Sequence, residues 1–112
     1  MQPELTVIAS GLAFPEGPIA QPDGSIVIVE IKAGRLTRVR DGSKETIAEL
    51  GGGPNGAAIG PDGHCYVCNN GGFAWTERNG KTYPGEQPAS YSGGSIQKVD
   101  LQSGIFSTLY AH

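Results

Sequence analysis

Apolar residues along this chain come in short, dense runs separated by Gly- and Pro-containing turns. Ile26-Val27-Ile28-Val29 is apolar at four successive positions. Successive side chains of a strand point to opposite faces, so both faces of that strand are expected to be buried. The longest stretches free of Gly and Pro, Ser25–Ala33 and Ser95–Ser103, are nine residues each. Globular helices typically need about 10–14 residues, which excludes a helical domain, and a membrane-spanning helix needs about 20 apolar residues in a row. The 18 Gly and 8 Pro occupy 26 of 112 positions, roughly double the average usage of about 12%. Apolar content is only 38%, but the runs are rich in Val and Ile, which suit strands better than solvated coil. The pattern predicts an all-β fold of short strands and many turns.

Self-comparison gives the organisation. Residues 15–24, Pro-Glu-Gly-Pro-Ile-Ala-Gln-Pro-Asp-Gly, align with residues 54–63, Pro-Asn-Gly-Ala-Ala-Ile-Gly-Pro-Asp-Gly, at an offset of 39. The alignment continues without a gap, Ser25–Glu30 lying over His64–Asn69. Further on, Gly34–Val39 resembles Gly94–Val99 at offset 60, so the second copy carries 21 extra residues. In each copy a short apolar segment leads into Pro-Asp-Gly and then a strongly apolar strand. Asp-Gly suits such a turn because Gly accepts positive φ at no steric cost.

Each copy reads as four strands: 17–21, 25–31, 35–40 and 44–50 in the first, and 56–60, 64–69, 95–100 and 105–110 in the second. Four antiparallel strands per repeat of about 40 residues are the pattern of β-propeller blades. The prediction is therefore two four-stranded blades, over about 15–50 and 54–110, the second with a long loop at 70–93. A small sandwich or barrel is the alternative architecture.

Glu16 and Asn55 occupy equivalent positions, each directly after Pro and before Gly. In a propeller the first strand of every blade lines the central channel, which would set a carboxylate beside an amide carbonyl. Such oxygen donors suit Ca²⁺, Mg²⁺ or Mn²⁺, and a carboxylate also suits Zn²⁺. Read without that context, both are ordinary turn residues.

Phe14-Pro15-Glu16-Gly17-Pro18 with Pro22-Asp23-Gly24, then Gly52-Gly53-Pro54-Asn55-Gly56 with Pro61-Asp62-Gly63, resembles the gluconolactonase and regucalcin (senescence marker protein) family of six-bladed β-propellers. The likeness runs from about Val7 to Tyr110 and matches roughly the first third of a family member. The resemblance implies a metal-dependent lactonase acting on a small lactone or sugar-acid-like substrate. A divalent cation would polarise the lactone carbonyl and activate water. Glu16 matches the family's N-terminal metal-binding glutamate, and Asn55 an asparagine that contacts substrate or metal-bound water. The family's other ligands, an Asn and an Asp, come from later blades that this chain does not contain, so no catalytic residue is assigned. Gly53 stands where regucalcin-like members often carry a substrate-binding arginine. Leu5–Ser10 resembles the N-terminal strand that closes the ring, and it would compete with 105–110 for one edge in a homotrimer, so no homotrimer is expected. Uncovered blade faces imply self-association. A non-catalytic ligand- or partner-binding propeller, or an inactive fragment, is the alternative function.

The loop at 70–93 holds Phe73, Trp75, Tyr83 and Tyr91, four of the eight aromatic residues. By the resemblance it lies on the channel-mouth side, which makes Trp75 and Tyr83 candidate substrate contacts; the alternative is that the aromatics anchor the loop to its own blade. Three other motifs carry nothing. Gly51–Gly56 fits G-x-G-x-x-G, but Pro54 lacks the N–H a phosphate would need, and Gly60-Pro61 blocks a following helix. Cys65 and Cys68 are three apart on a strand, so their thiols diverge, and both are expected to be small core residues. His64 and His112 are expected to be solvated.

Charge changes little. Eight basic and eleven acidic residues give a net charge of −3, with no basic cluster to face phosphates, so no nucleic-acid partner is expected. Met1-Gln2-Pro3-Glu4 has no basic, apolar leader pattern, and the expectation is a cytoplasmic protein with no membrane partner.

Overall fold

In a computed structural model, which describes residues 3–111, the chain is all-β, with no helix among the described residues. Ten strands form two four-stranded antiparallel sheets and one hairpin. Sheet one is the meander β1 (Pro15–Ala20), β2 (Ile26–Glu30), β3 (Arg35–Arg40) and β4 (Ser43–Glu49). Sheet two is β5 (Pro54–Ile59), β6 (Cys65–Asn69), β9 (Ser95–Val99) and β10 (Phe106–Ala111), in the order β10-β9-β6-β5. These are the eight expected strands, with ends that differ by at most two residues.

The two sheets repeat the same construction. Each Pro-Asp-Gly turn closes with Gly donating to the residue before Pro, Gly24 to Gln21 at 3.0 Å and Gly63 to Gly60 at 3.0 Å. Pro presets the bend, and the glycines take φ of 88° and 80°. Asp23 and Asp62 accept the Ser25 and His64 amides two residues on, at 2.9 and 3.1 Å.

The core lies between the sheets. Val27, Val29, Leu36, Ala48 and Leu50 of sheet one and its exit loop meet Cys65, Val67 and Val99 of sheet two. β5 lies against β1 and β2. Gly17 and Gly56 allow that approach: a Cβ on Gly17 would stand 3.4 Å from the Gly56 Cα. A radius of gyration of 14.7 Å exceeds the roughly 13 Å of a compact domain this long, in keeping with a flattened shape of 45 × 43 × 24 Å.

Each sheet also buries one polar side chain at the same place, the end of its second strand. Glu30 accepts from the Ala13 amide at 2.7 Å, from Arg35 Nε at 2.7 Å and Nη2 at 3.1 Å, and from the Thr37 hydroxyl. Its equivalent, Asn69, accepts from the Gly53 and Gly71 amides at 2.9 Å and donates to Gly51 O at 2.9 Å and Gln97 Oε1 at 3.1 Å. Both fasten the segment leading into the sheet's first strand.

One expectation needs correction. Residues 70–93 are not simply a loop: they contain the hairpin of β7 (Trp75–Arg78) and β8 (Lys81–Pro84). Its turn is Asn79-Gly80, with φ of 53° and 73°, the pair whose twist suits a two-residue hairpin turn. Leu5–Ser10 forms none of the ten strands. Leu5 is 92% exposed, and the segment is held at its end by Lys44 Nζ donating to Ser10 O at 2.7 Å.

Candidate functional site

Glu16 and Asn55 both sit on irregularities of the ladder. Pro15 pairs with Glu30 and Glu16 with Val29, and the register shifts just after Glu16, before Ile19. Pro54 pairs with Asn69, and the register shifts between Pro54 and Gly56, leaving Asn55 unpaired. A bulge bends its strand and re-aims the side chain it carries. Because β1 and β5 are neighbours, and because Gly17 and Gly56 make the close contact, the residue before each glycine falls at the same end of the interface. Both side chains are exposed. The Glu16 carboxylate accepts from its neighbour Gly17 N–H at 3.1 Å, leaving most of its lone-pair capacity open to solvent.

The segment before Glu16 is unusual. Phe14 has a φ of 59°, a conformation that costs an aromatic residue about 1–3 kcal/mol. Its carbonyl accepts from Ile31 N–H at 3.0 Å, and Ala13 O accepts from Lys32 N–H at 3.2 Å. With the Glu30 carboxylate on the Ala13 amide, these bonds hold the chain through the bend. The Phe14 ring packs against Trp75 with centroids 4.9 Å apart, and Phe73 meets Trp75 edge-on at 5.5 Å. Lys32 Nζ to Glu77 Oε1 at 2.9 Å adds a second tie between the hairpin and sheet one.

Trp75 is thus brought to the Glu16 end of the molecule, through Phe14. Tyr83 is not. In the hairpin, Trp75 pairs with Pro84 and Thr76 with Tyr83, so Trp75 and Tyr83 lie on opposite faces. The Arg78 guanidinium stands 4.5 Å from the Tyr83 ring centroid, so Tyr83 packs on its own hairpin.

Gly53 has no room for a side chain. A Cβ there would lie 2.2 Å from Asn70 Oδ1 and 3.1 Å from the Gly72 Cα. Asn70 is itself held by the Gly72 amide at 2.8 Å. The start of the long insertion therefore fills the space beside Gly53.

The cysteines diverge as expected, but only one is a core residue. Cys65 is buried, and burial pushes its thiol up to about 11. Cys68 is exposed, because its face of β6 points away from sheet one.

Sequence reasoning missed the polar cluster at the opposite ends of the strands. His64 is only partly solvated: Nδ1 lies 3.5 Å from Asp62 Oδ2 and Nε2 3.8 Å from Asp100 Oδ2. The Tyr66 hydroxyl at 2.6 Å, the His64 amide and the Lys98 ammonium at 3.3 Å hold Asp62 down at about 2. A cavity of about 340 Å³ opens beside these residues, lined also by Gln21, Arg38 and Gln102. His112 lies outside the described residues.

Among the described residues, no group of three or more His, Cys, Asp and Glu side chains is arranged to hold a metal ion, and no helix is long and apolar enough to cross a membrane. No family model matches the chain, and no curated protein matches it.

Proposed function

We propose that this chain forms two neighbouring blades of a β-propeller of gluconolactonase type and contributes to a metal-dependent lactone hydrolase. Glu16 is the metal ligand it supplies, and Asn55 a neighbouring contact for substrate or cation-bound water. The observation that carries this reading is the repeat-related pair Glu16 and Asn55, an exposed carboxylate and an exposed amide, each at a register shift in neighbouring strands. An exposed carboxylate and an amide oxygen fit a hard divalent cation as part of a larger oxygen set. When bound, such an ion supplies Lewis acidity toward a lactone carbonyl and acidifies water.

The residues of this chain hold and shape the site. Glu30 fixes the Ala13–Phe14 bend, which sets the backbone of Glu16. Asn69 fixes Gly51–Gly53, which sets Asn55. Trp75, resting on Phe14, supplies an apolar wall that favours the ring of a lactone over a charged open-chain acid. With no side chain at Gly53, substrate hydroxyls are recognised by groups other than an arginine at that position.

Calorimetric titration of Ca²⁺, Zn²⁺, Mg²⁺ and Mn²⁺ into the protein and into Glu16→Ala tests the proposal, alongside hydrolysis of a small sugar lactone. Glu16 is exposed, so the variant should fold normally. The expected result is cation binding that weakens at least several-fold in Glu16→Ala. Identical titrations with both proteins would sink the assignment. Glu16-dependent cation binding without lactone hydrolysis would favour a ligand-binding propeller.

A further inference from the structure

We propose that the hairpin of β7 and β8 is a docking site for an extended, acidic segment of a partner protein, laid along β7 as a third strand. Its charges are the starting point. Of the eight Lys and Arg side chains, five hold a carboxylate and Lys44 donates to the Ser10 carbonyl. Arg78 and Lys81 are left, among the described residues, without an oxygen partner.

Their placement makes this costly. Arg78 pairs directly with Lys81 across the Asn79-Gly80 turn, and like charges directly opposite destabilise a strand pair. Strand alternation puts both on one face with Thr76 and Tyr83. The other face carries Trp75 and Glu77, which rest on Phe14 and Lys32, so the two cations point away from sheet one. The Arg78 guanidinium, 4.5 Å from the Tyr83 ring centroid, is already positioned, which lowers the ordering cost of a bidentate bond to a carboxylate. Sheet one completes the same four strands with only residues 31–34 between β2 and β3. The hairpin is therefore not needed to build sheet two.

An open strand edge selects a peptide over other anions. β7 and β8 pair only with each other, so each has an outer edge of unpaired backbone donors and acceptors. A two-stranded hairpin is marginal by itself, and a third strand adds what it lacks. β8 contains Pro84, which offers no N–H, whereas β7 contains no proline. A segment along β7 gains main-chain hydrogen bonds, and its side chain opposite Arg78 stands on the cationic face, within reach of the long Lys81 side chain. An Asp or Glu there relieves the like-charge contact. Glu77, on the other face, is already paired with Lys32, so the adjacent position takes a neutral residue. The segment that fits thus alternates acidic and neutral residues. A free anion or a lipid surface could use the charges but not the edge.

Fluorescence anisotropy of a labelled, end-capped hexapeptide of alternating Thr and Glu tests this on the full chain. The comparisons are a Thr-Lys peptide, a fully N-methylated Thr-Glu peptide, and glutarate as competitor. The Thr-Glu peptide should bind, and the Thr-Lys peptide should not. Affinity should fall several-fold on N-methylation and in the double variant Arg78→Gln, Lys81→Gln. Both residues are exposed, and circular dichroism confirms that the variant keeps its strands. Without peptide, Lys81→Gln should leave the thermal midpoint unchanged or raise it, because it removes a like-charge contact. A lowered midpoint would mean a structural lysine and overturn the proposal. So would no binding of the Thr-Glu peptide, or equal binding by the folded double variant. Equal binding of the N-methylated peptide, or displacement by an equal concentration of glutarate, would overturn strand addition and leave a plain anion site.

Discussion

The buried carboxylate of Glu30 should behave as a structural acid whose loss is large at neutral pH and small in acid. Its side chain is 1% exposed and its partner Arg35 34% exposed. Burial pushes the carboxyl upward, but the bonds from Arg35, Thr37 and the Ala13 amide prevail and hold it at about 2, against an ordinary 4.5. With the folded-state value below the unfolded one, the ionised form is the stabilising one. Its contribution is fully present above 4.5 and is lost as pH falls toward 2. At about 1.4 kcal/mol for each tenfold change in acidity, the difference amounts to about 3 kcal/mol at pH 7 and about 1 kcal/mol at pH 3. Glu30→Gln keeps the shape but turns an amide NH₂ toward donors, so the variant should lose about 3 kcal/mol at pH 7. Urea unfolding of both proteins at pH 7, 5 and 3 measures this, and subtracting the curves removes other carboxylates from the comparison. A loss below about 1 kcal/mol at pH 7, or a gap that does not narrow in acid, would refute the account.

Asn69→Ala should cost about 2–3 kcal/mol in thermal or urea unfolding, since four hydrogen bonds end on that side chain and their partners are left wanting. Gly53→Ala should destabilise by about 1–3 kcal/mol through its clash with Asn70, and adding Asn70→Gly should recover part of the loss. Phe14→Ala should shift the emission of Trp75 to longer wavelength, because it removes the ring 4.9 Å away; an unchanged spectrum would mean the hairpin does not rest on sheet one. With native protein one thiol, Cys68, should react, and with denatured protein two.

Much of the fold was legible because the repeat supplied a second copy of every local signal. Pro-Asp-Gly marked the turns twice, and the continuous Ile26–Val29 run required a strand covered on both faces. The alignment also set Glu30 over Asn69, a polar residue closing each apolar strand, and that was the available sign of the buried latches. The loop groups they fasten, at Ala13, Gly51 and Gly53, lie 16 to 18 residues away, which no strand periodicity reports. The hairpin inside 70–93 carried its own signal, Asn79-Gly80 flanked by Trp75-Thr76-Glu77 and Thr82-Tyr83. Trp75 and Tyr83 separated because a hairpin, unlike a loop, alternates its side chains between two faces. Cys68 differed from expectation for another reason. Its position in the repeat is a core position, but the burial of a sheet face depends on what stacks against it.

The two copies share a backbone device and differ in charge, and the difference is physically consistent. Sheet one has glutamates at both equivalent positions, Glu16 and Glu30, while sheet two has asparagines, Asn55 and Asn69. At the buried position Arg35 and Thr37 satisfy a carboxylate in sheet one, whereas in sheet two Gln97 and Gly51 O require a donor, which an amide supplies. At the exposed position two adjacent carboxylates would repel each other without a cation, making one of them harder to ionise. On the proposed function, one carboxylate and one amide would supply two oxygen donors with a single negative charge. Asn55→Asp should therefore lower stability slightly in the absence of divalent ions, and on the proposed function it should strengthen cation binding that Glu16→Ala weakens. Calorimetric titration of the two variants in parallel checks the opposition. Equal responses from both would mean that the two bulges serve the packing of β1 on β5 and hold no common ligand.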